Sequence, residues 1–388
     1  MYLVNAFGRV VLIDDDAEAE ERMRRDRNLR PATDDEIARH EAARAALAPT
    51  PDGVYFQTVA ARPDGYGMSR DHLIAEMAQV GTPLSEVQAE QKVALIYNYP
   101  YSVISVRNDV RLLYTMFESD KLPEDWADYC AAANEVIVPS RWCAEVFKKA
   151  GIATTVVPLG YNSRVFTFQE RPERDVFTFL HYDSFNLRKG FQEVFEAFTA
   201  EFGHDEPVRL VLKTVQEHTS LSIVKSVYPN IEVMRGAVSE QGLVDICRDA
   251  DCFVYPSRGE GFGITPLEAM ATGLPAIVPN AHGISEYFNA EYMLEVDSSE
   301  RMPALHNRFK GQDIGDMVVC SVEDLRKQMR YAFENQQEMR ALGRQASEYV
   351  KKYTYRRTAE RLAVILKKWE ATKVVKRGEG KFLEVERV

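Results

Sequence analysis

The feature that most constrains the fold of this chain is a glycine-rich loop that joins a short apolar segment to a helix. Residues 252–255 read CFVY, an apolar run typical of a buried strand, and the loop RGEGFG at residues 258–263 follows. Downstream, Gly273 and Pro275 end a short predicted helix, and residues 276–278 begin another apolar run. This order predicts a parallel α/β sheet with the loop at the carboxyl end of its strand, where open parallel sheets bind ligands.

The loop has a structural and a functional interpretation. Thr265 is predicted to cap the helix, with Pro266 at the first helical position, and Glu268 completes a capping box. In the structural interpretation Glu268 is only a cap and the glycines are only a turn. A plain turn does not need Glu260, two glycines and an exposed Phe262 together, and free N–H groups at a helix start bind anions or sugar hydroxyl groups. A ligand site is therefore the favoured interpretation.

Glu260 and Glu268, with seven residues between them, resemble the E-x7-E motif of the retaining glycosyltransferases of family 4, which have the GT-B fold. The resemblance covers about residues 53–370. It implies an α/β protein with two Rossmann-like domains facing each other across a cleft, and a nucleotide diphosphate sugar as donor. Besides the loop, the segments that carry it are residues 114–120, 138–140, 157–160, 188–190, 250–257, 273–278 and 283–286.

The alternation of short apolar runs with amphipathic helical stretches is typical of parallel α/β sheets and agrees with two domains. We expect an acceptor-side domain at residues 51–165, completed by a C-terminal helix at about 355–370, and a donor-binding domain at 166–354. The first domain is short for the family, so its acceptor-binding elements are expected to be reduced or rearranged. A charged accessory segment at 1–50 and a basic tail at 371–388 complete the chain.

The N-terminal segment is expected to be a solvated helical accessory or an oligomerisation piece. It combines a strand at about residues 10–13 with a charged helix at about residues 33–46, and its arginines leave contact with a membrane or a partner as the alternative. The run from Asp14 to Asp16 resembles the carboxylates of metal-dependent glycosyltransferases, but it lies outside both predicted sheets and is interpreted as a solvated turn. The basic tail is also interpreted as solvated, with acidic lipid as the alternative contact.

Four residues of the first predicted domain are candidates for binding substrate. Gly65 and Gly67 form a predicted turn after the strand at residues 54–59, where backbone can approach a donor or an acceptor. His72 begins the next helix, either as a surface or capping residue or as a catalytic group. Glu118 follows a strand end and matches a glutamate of the family, which implies a place in the acceptor cleft, with a structural salt bridge as the alternative.

The second predicted domain has two cations at a helix start. Arg188 and Lys189 precede a helix that begins near Phe191, where cations face the positive end of the helix dipole at a cost of about 0.3–1 kcal/mol. Either they point to solvent, or the positive potential is kept to bind a diphosphate. The family has an arginine five residues before that lysine, where this chain has Ser184. Arg188 or Lys213 is therefore expected to supply the charge, although Lys213 can also be an ordinary solvated strand end.

The resemblance also implies roles. Glu268 would bind the ribose hydroxyl groups and Lys189, beside Arg188, would neutralise the leaving diphosphate, a catalytic role because negative charge grows there as the glycosidic bond breaks. No metal and no cofactor beyond the donor are expected, and the anomeric configuration is expected to be retained. Front-face attack and a covalent intermediate both stay open. The donor sugar would be held by Glu260 and by the backbone of Phe262, Gly263 and Ile264.

Composition limits the class of protein. With 388 residues and 45% hydrophobic content there is material for two cores, yet no run of about 18 apolar residues that could span a bilayer. No secretory signal is visible at the start of the sequence. The five cysteines show no disulfide or metal-ligand pattern, which favours a reducing cytoplasm, with peripheral membrane association as an alternative. A net charge of -11 disfavours broad nonspecific binding to nucleic acid.

The acceptor stays open from the sequence, and a glycan, a lipid, a protein or a nucleic acid such as a modified DNA base all fit. The donor base, the donor sugar and assembly into a homo-oligomer stay open too. Three alternatives to a glycosyltransferase remain: a GT-B sugar phosphorylase, a nucleotide-sugar epimerase and a non-catalytic module that binds sugar nucleotides.

Overall fold

Two parallel sheets form the body of the protein, as seen in a computed structural model. Within the described residues each sheet has six strands, with helices in the connections between them. The expected α/β class with two Rossmann-like domains is confirmed. The structure describes residues 2–4, 10–12, 20, 30–31, 53–58, 65–215, 227–375 and 384–385.

The N-terminal segment contributes a small antiparallel sheet, in which the first strand pairs with both others. Its second strand agrees with the one predicted at about residues 10–13. The predicted helix at 33–46 and the run from Asp14 to Asp16 lie outside the described residues. The strands are β1 Tyr2–Val4, β2 Val10–Leu12 and β3 Arg30–Pro31.

The first domain is built from strands β4 Val54–Thr58, β5 Leu84–Ser85, β6 Val93–Tyr97, β7 Val110–Tyr114, β8 Glu135–Val138 and β9 Thr155–Val156. All pairings are parallel, in the spatial order β5-β4-β6-β7-β8-β9. Strand β6 is buried along its whole length, because helices cover both faces of such a sheet. The connecting helices are α1 Gly65–Gln79, α2 Trp126–Ala131, α3 Arg141–Lys149 and the 3-10 turn Pro100–Ser105.

The second domain has the strand order 3-2-1-4-5-6 of a doubly wound nucleotide-binding sheet. Its strands are β10 Phe177–Tyr182, β11 Val208–Lys213, β12 Ile231–Met234, β13 Cys252–Val254, β14 Ala276–Pro279 and β15 Leu294–Val296. Strand β10 pairs with β11 on one side and with β13 on the other. The sheet therefore changes its direction of growth between β10 and β13, and the glycine-rich loop leaves the carboxyl end of β13 at that point.

Helices of the second domain follow the apolar periodicity of the sequence. On the first of them the apolar side chains at helical spacing are buried, with Phe191, Val194 and Phe198 all at most 6% exposed. The helices are α4 Phe191–Glu201, α5 Glu240–Arg248, α6 Ile264–Ala271, α7 Val322–Glu334 and α8 Gln336–Tyr349, with 3-10 turns at Leu187–Lys189, His282–Glu286, Asn307–Phe309 and Val350–Lys352.

A β-hairpin between β15 and α7 was not predicted from the sequence. Its strands, β16 Glu300–Pro303 and β17 Asp316–Val319, are antiparallel, and the loop between them reaches the first domain. Phe309 and Ile314 of this loop are buried against the aromatic cluster around Phe117 and Trp126. The hairpin therefore joins the cores of the two domains.

The last helix, α9 Tyr355–Ala371, packs on the first domain after the chain has completed the second. Thr358 donates a hydrogen bond to the carbonyl of Pro158, and the indole N–H of Trp369 donates to Glu135. Strands β18 Val374–Val375 and β19 Glu384–Val385 follow as a small antiparallel pair. Among the described residues no helix is both long and apolar enough to cross a membrane.

Candidate active site between the domains

The glycine-rich loop enters helix α6 through a left-handed glycine. Gly263 has φ +86° and is the N-cap, and the helix begins at Ile264 without a side-chain cap. The predicted capping box is therefore wrong: Thr265 and Pro266 lie inside the first turn, two positions further into the helix than expected. Because glycine adopts positive φ without strain, the turn needs no side-chain cap, and Glu268 is free for another role.

Phe262 is 1% exposed, so the prediction of an exposed ring is wrong. Its ring packs against Tyr287 and Tyr353, with centroid distances of 5.6 and 6.3 Å. The polar and glycine residues beside Phe262 in the sequence suggested an exposed ring, but these aromatic contacts bury it. The backbone of residues 262–264 is thereby fixed at the helix start.

Glu260 is the centre of a buried ionic cluster. Lys189 Nζ lies 2.7 Å and Arg188 Nη1 3.1 Å from its Oε1 atom, and the Ser257 hydroxyl donates to the same oxygen at 2.7 Å. Burial raises the pKa of Glu260, but the two cations outweigh burial and hold the net pKa well below its ordinary value. Glu260 is therefore ionised at neutral pH.

Tyr255 and Asp183 complete this cluster from the ends of β13 and β10. Lys189 Nζ lies 3.0 Å from Asp183 Oδ2 and 2.9 Å from the Tyr255 hydroxyl, which donates to Asp183 at 2.6 Å. Burial opposes ionisation of Asp183, yet the Lys189 ammonium lowers its pKa overall. Together with Glu260, these residues give Lys189 three oxygen partners at the switch point of the sheet.

Arg188 and Lys189 point inward, so the alternative that they face solvent is wrong. Their side chains are 20% and 11% exposed, and both lie in the 3-10 turn before α4. Gly190, with φ +74°, ends that turn, and a Cβ there would stand 2.2 Å from the carbonyl oxygen of Pro256. This close backbone approach brings the two cations to Glu260 at the carboxyl end of β13.

Glu268 is also buried, but unlike Glu260 it has no cation beside it in the described residues. Its Oε2 atom accepts a 3.3 Å hydrogen bond from Tyr182 at the end of β10. Burial raises the pKa of Glu268 well above its ordinary value, and the negative charge of Glu240 adds to this. A carboxyl group so weakly compensated lies ready to accept hydrogen bonds from hydroxyl groups.

Lys213 ends β11, beside Tyr182 in the sheet register, so it projects from the same edge as the loop. It is 3% exposed and donates to the carbonyls of Thr214 and Gly236, and burial lowers its pKa. The interpretation as a solvated strand end is therefore wrong. Ser184 is part of the turn after β10, where it donates to Asp183 and accepts from Asn186. The positive charge beside Lys189 is supplied by Arg188.

Three candidates of the first domain, Gly65, Gly67 and His72, lie in helix α1. Gly65 and Gly67 lie within helix α1, so the predicted turn is wrong: the helix begins at Gly65. His72 Nε2 is 2.7 Å from Glu240 of the second domain, and its ring stacks on Tyr355. It is therefore a contact between the domains, as is Asn162, which donates to the other oxygen of Glu240.

Glu118 lies at the interface, beside the glycine-rich loop. A Cβ on Gly259 would stand 2.1 Å from its carbonyl oxygen, which shows how closely the two backbones approach. Its carboxylate lies 4.0 Å from His306 of the hairpin. Burial lowers the pKa of Arg188, but the charges of Glu260 and then of Glu118 outweigh burial and raise it overall. The same loop is held by Ser140, which donates to the carbonyl of Gly261 at 2.8 Å. Glu118 therefore joins the cationic cluster to the first domain.

Several site residues were not singled out from the sequence. Tyr255, Asp183 and Tyr182 stand at the carboxyl ends of β13 and β10, so their position at predicted strand ends was the available signal. His306 gave no such signal, because it is brought to Glu118 by the hairpin. Among the described residues no group of His, Cys, Asp or Glu side chains has an arrangement that could hold a metal ion.

Parts of the sequence match known proteins. Residues 163–302 match the family model described as glycosyl transferases group 1. Mannosylfructose-phosphate synthase of Agrobacterium fabrum is 34% identical over 106 residues, which are 24% of this chain and 23% of that protein. The chain spans 12% to 56% of the length of the curated relatives that it matches.

Solved structures show the same two-domain arrangement. Sucrose-phosphate synthase from Thermosynechococcus elongatus has a TM-score of 0.65 at 14% identity, over 82% of this chain and 98% of that chain. Anabaena HepE in complex with UDP and glucose has a TM-score of 0.59 at 13% identity, over 81% and 99%. At these identities the likeness concerns the fold. Over residues 163–302 the chain is similar to the group 1 glycosyltransferases, and its two facing Rossmann-like domains have the GT-B fold.

Proposed function

We propose that the protein transfers a sugar from a nucleotide diphosphate sugar to a hydroxyl group of an acceptor, with retention of the anomeric configuration. The observation that carries this proposal is the pair of buried glutamates at the switch point of the second sheet. Glu260 is ionised and surrounded by cations, whereas Glu268 is weakly compensated, so the two carboxyl groups suit different parts of one donor.

The ribose is assigned to Glu268. Its buried carboxyl group has one hydrogen bond, from Tyr182 at 3.3 Å, and retains capacity to accept from two neighbouring hydroxyl groups. Lys213 ends the neighbouring strand and donates to the carbonyl of Gly236 after β12, so this part of the carboxyl edge would border the base. This assignment also agrees with the general position of nucleotides at a switch point.

The diphosphate is assigned to Lys189 and Arg188. The ammonium of Lys189 already contacts three protein oxygens, so a phosphate oxygen would take the place of one of them. Because Asp183 and Glu260 balance the two cations, the resting cluster is close to neutral. Electrostatic stabilisation then grows as the bond from the anomeric carbon to the phosphate oxygen breaks and its electron pair leaves with the diphosphate.

The sugar is assigned to Glu260 and to the backbone N–H groups at the start of α6. Those N–H groups have no side-chain cap, so they can donate to sugar hydroxyl groups. In the balanced reaction the acceptor oxygen bonds to the anomeric carbon, the diphosphate leaves, and one proton is released from the acceptor. We propose that neither a metal ion nor a further cofactor takes part.

A thermal-shift screen with UDP, GDP and ADP, alone and as their sugars, tests the proposed donor. We expect one nucleotide to raise the melting temperature, and Glu268→Ala to abolish that shift. The products then separate the reactions: released diphosphate with a new glycoside supports transfer, a sugar phosphate formed with added phosphate indicates a phosphorylase, and a rearranged nucleotide sugar indicates an epimerase. Binding without turnover indicates a binding module.

A further inference from the structure

A cavity of about 530 Å³ lies between the domains beside the glycine-rich loop. Glu118 and Trp142 of the first domain line it, opposite Arg258, His282 and Arg301 of the second. Its volume is in the range of small-molecule sites. The residues assigned to the donor, Lys189, Glu260 and Glu268, are absent from its lining among the described residues.

Two buried atoms at this cavity have no hydrogen-bond partner among the described residues. One is Oε2 of Glu118, and the other is Nδ1 of His282, a side chain that is 4% exposed. The Nε2 atom of His282 lies 2.9 Å from the carbonyl oxygen of Ser257, so it must carry the proton, and Nδ1 is left with a lone pair. Both unpartnered atoms are therefore acceptors, and a ligand that donates hydrogen bonds would satisfy them.

The hairpin brings His306 close to Glu118 in the wall of the cavity. The backbone N–H of Arg308 donates to Nδ1 of His306, so the proton of that ring is on Nε2, which faces Glu118 Oε2 at 4.0 Å. The His306 ring also stacks on Phe117, with a centroid distance of 6.2 Å. His306 is a positioning residue for Glu118 and makes the hairpin one wall of the site.

The charge of the lining decides the class of ligand. Among the described residues five carboxylates and three cations line the cavity, so a polyanion such as a nucleic acid or a phosphorylated glycan is disfavoured. One of the cations, Arg258, is already paired with Glu193. Trp142 offers an aromatic ring beside these acceptors, at 6.3 Å from the ring of His282. Acceptors for hydroxyl groups next to an aromatic ring suit a neutral carbohydrate.

We propose that this cavity is the acceptor site and that its ligand is a neutral carbohydrate, whose hydroxyl groups donate to Glu118 and His282. The proposal rests on the proposed function, because a transferase needs an acceptor within reach of the donor. Glu118 lies close to the residues assigned to the donor, because its backbone contacts Gly259 and its charge acts on Arg188. Residues of both domains form the site, so it is complete only when the hairpin is docked.

Variants at the two acceptor atoms test the proposal. Glu118→Gln keeps the shape of the side chain but loses its charge. His282→Gly removes the ring, and because His282 has φ +42°, glycine relieves backbone strain and the variant is expected to fold. Glu145→Gln, on the exposed face of α3, is the matched control. His306→Ala, with rescue by His306→Gln, tests the positioning role.

Binding of neutral probes is measured directly by saturation-transfer NMR, using methyl α-mannoside, methyl α-glucoside and lactose, with a heparin oligosaccharide as the polyanionic probe. We expect at least one neutral probe to bind the wild type, with affinity reduced at least about tenfold in Glu118→Gln and His282→Gly. We expect no change in Glu145→Gln and no binding of heparin. Absence of binding by all neutral probes, equal binding in the two variants, or preference for heparin overturns the proposal.

A second set of measurements separates this proposal from the proposed donor. Affinity for the nucleoside diphosphate and hydrolysis of the nucleotide sugar in water are expected to stay within about twofold in His282→Gly, whereas the KM for the carbohydrate probe rises in both Glu118→Gln and His282→Gly. If the donor is turned over and transfer to the probe is equally fast in both variants, the acceptor site is wrong and the donor site stands. If the probe binds as expected while no nucleotide binds, the donor proposal fails and the cavity remains a carbohydrate site.

Discussion

At Lys189, a single ammonium group holds three oxygens together at the end of the second sheet. Glu260, Asp183 and Tyr255 all lie within 3.0 Å of its Nζ atom. Each carboxylate would be costly to bury without this cation, so the cluster is stable only as a unit. The same cation is the group best placed to meet a leaving diphosphate, which joins stability and catalysis at one residue.

Substitution of Lys189 is therefore expected to reduce catalysis more than affinity for the donor. We predict that Lys189→Gln lowers kcat by about 100-fold or more, because the variant loses stabilisation that grows in the transition state. Steady-state kinetics with the nucleotide sugar that binds best, and circular dichroism to check the fold, measure this. Lys148→Gln, at an exposed position on α3, should match the wild type. An unchanged kcat in a folded Lys189→Gln protein would contradict the assignment.

Glu268 is expected to lower the stability of the folded protein at high pH and to strengthen nucleotide binding. Its pKa in the folded protein is raised above the ordinary value of 4.5, so its contribution to stability is fully present below that value and is lost as the pH rises through the folded pKa. We predict that Glu268→Gln is more stable than the wild type at pH 8 and similar to it at pH 4, by urea unfolding. We also predict about tenfold weaker nucleotide binding. Glu196→Gln, exposed on α4, should change neither; a Glu268→Gln protein that is less stable at pH 8 would contradict the pKa direction.

At the scale of elements, the glycine-rich loop is held between two neighbours. Gly259 lies against the backbone of Glu118, and Ser140 binds the carbonyl of Gly261. The loop is thus shared by both domains, although the chain builds it entirely from the second.

Adding one methyl group to this loop is expected to force the domains apart. In Gly259→Ala the new Cβ would stand 2.1 Å from a carbonyl oxygen, an atom that cannot move as a side-chain end can. We predict a loss of about 1–3 kcal/mol in the free energy of unfolding, together with faster hydrogen exchange in residues 116–118. In Gly203→Ala the nearest atom lies 3.8 Å away, so that control should exchange as the wild type does. Unchanged exchange in Gly259→Ala would show that the contact is not maintained in solution.

The hairpin is the second element that spans the domains. Phe309 is 9% exposed and lies 5.5 Å from Phe117 and 6.0 Å from Trp126, by ring centroids. We predict that Phe309→Ala lowers the free energy of unfolding by about 3 kcal/mol, as expected for a buried ring. Leu305→Ala, in the same loop but 58% exposed, should cost little. Denaturant unfolding of both variants measures the difference, and equal stabilities would exclude docking of the hairpin.

The sequence predicted the strands well and the loops less well, for physical reasons. The strands Cys252–Val254 and Ala276–Pro279 end within one residue of the predicted apolar runs, because continuous apolar runs in buried parallel strands leave little ambiguity. The start of α6 was predicted from side-chain capping, but Gly263 sets it through backbone conformation. Phe262 was predicted to be exposed because its burial depends on Tyr353, which is 91 residues away in the sequence.

The candidate site could be predicted only where local sequence determines it. Arg188, Lys189, Glu260 and Glu268 follow strand ends or helix starts. The structure brings Arg188 and Lys189 to Glu260. The cavity beside the glycine-rich loop could not be predicted, because its walls come from opposite domains. His306 reaches Glu118 across 188 residues of chain, through a hairpin that carries no motif.

At the scale of the whole molecule, the interface between the domains separates two tasks. The residues assigned to the donor are not among those that line the proposed carbohydrate cavity, and the charge of Glu118 in the cavity wall acts on Arg188. Contacts such as His72 with Glu240 hold the domains together at the donor end, and the hairpin holds them at the acceptor end. Both sites are therefore expected to depend on how the domains are docked.

The most direct measurement of the central claim follows the anomeric proton of the sugar by NMR while the protein is incubated with the nucleotide sugar that stabilises it most and a neutral carbohydrate acceptor. The account predicts release of the nucleoside diphosphate and a new glycoside with the same anomeric configuration as the donor, with the rate reduced at least about 100-fold in Lys189→Gln. Failure to consume any UDP, GDP or ADP sugar, or a product of inverted configuration, would contradict it.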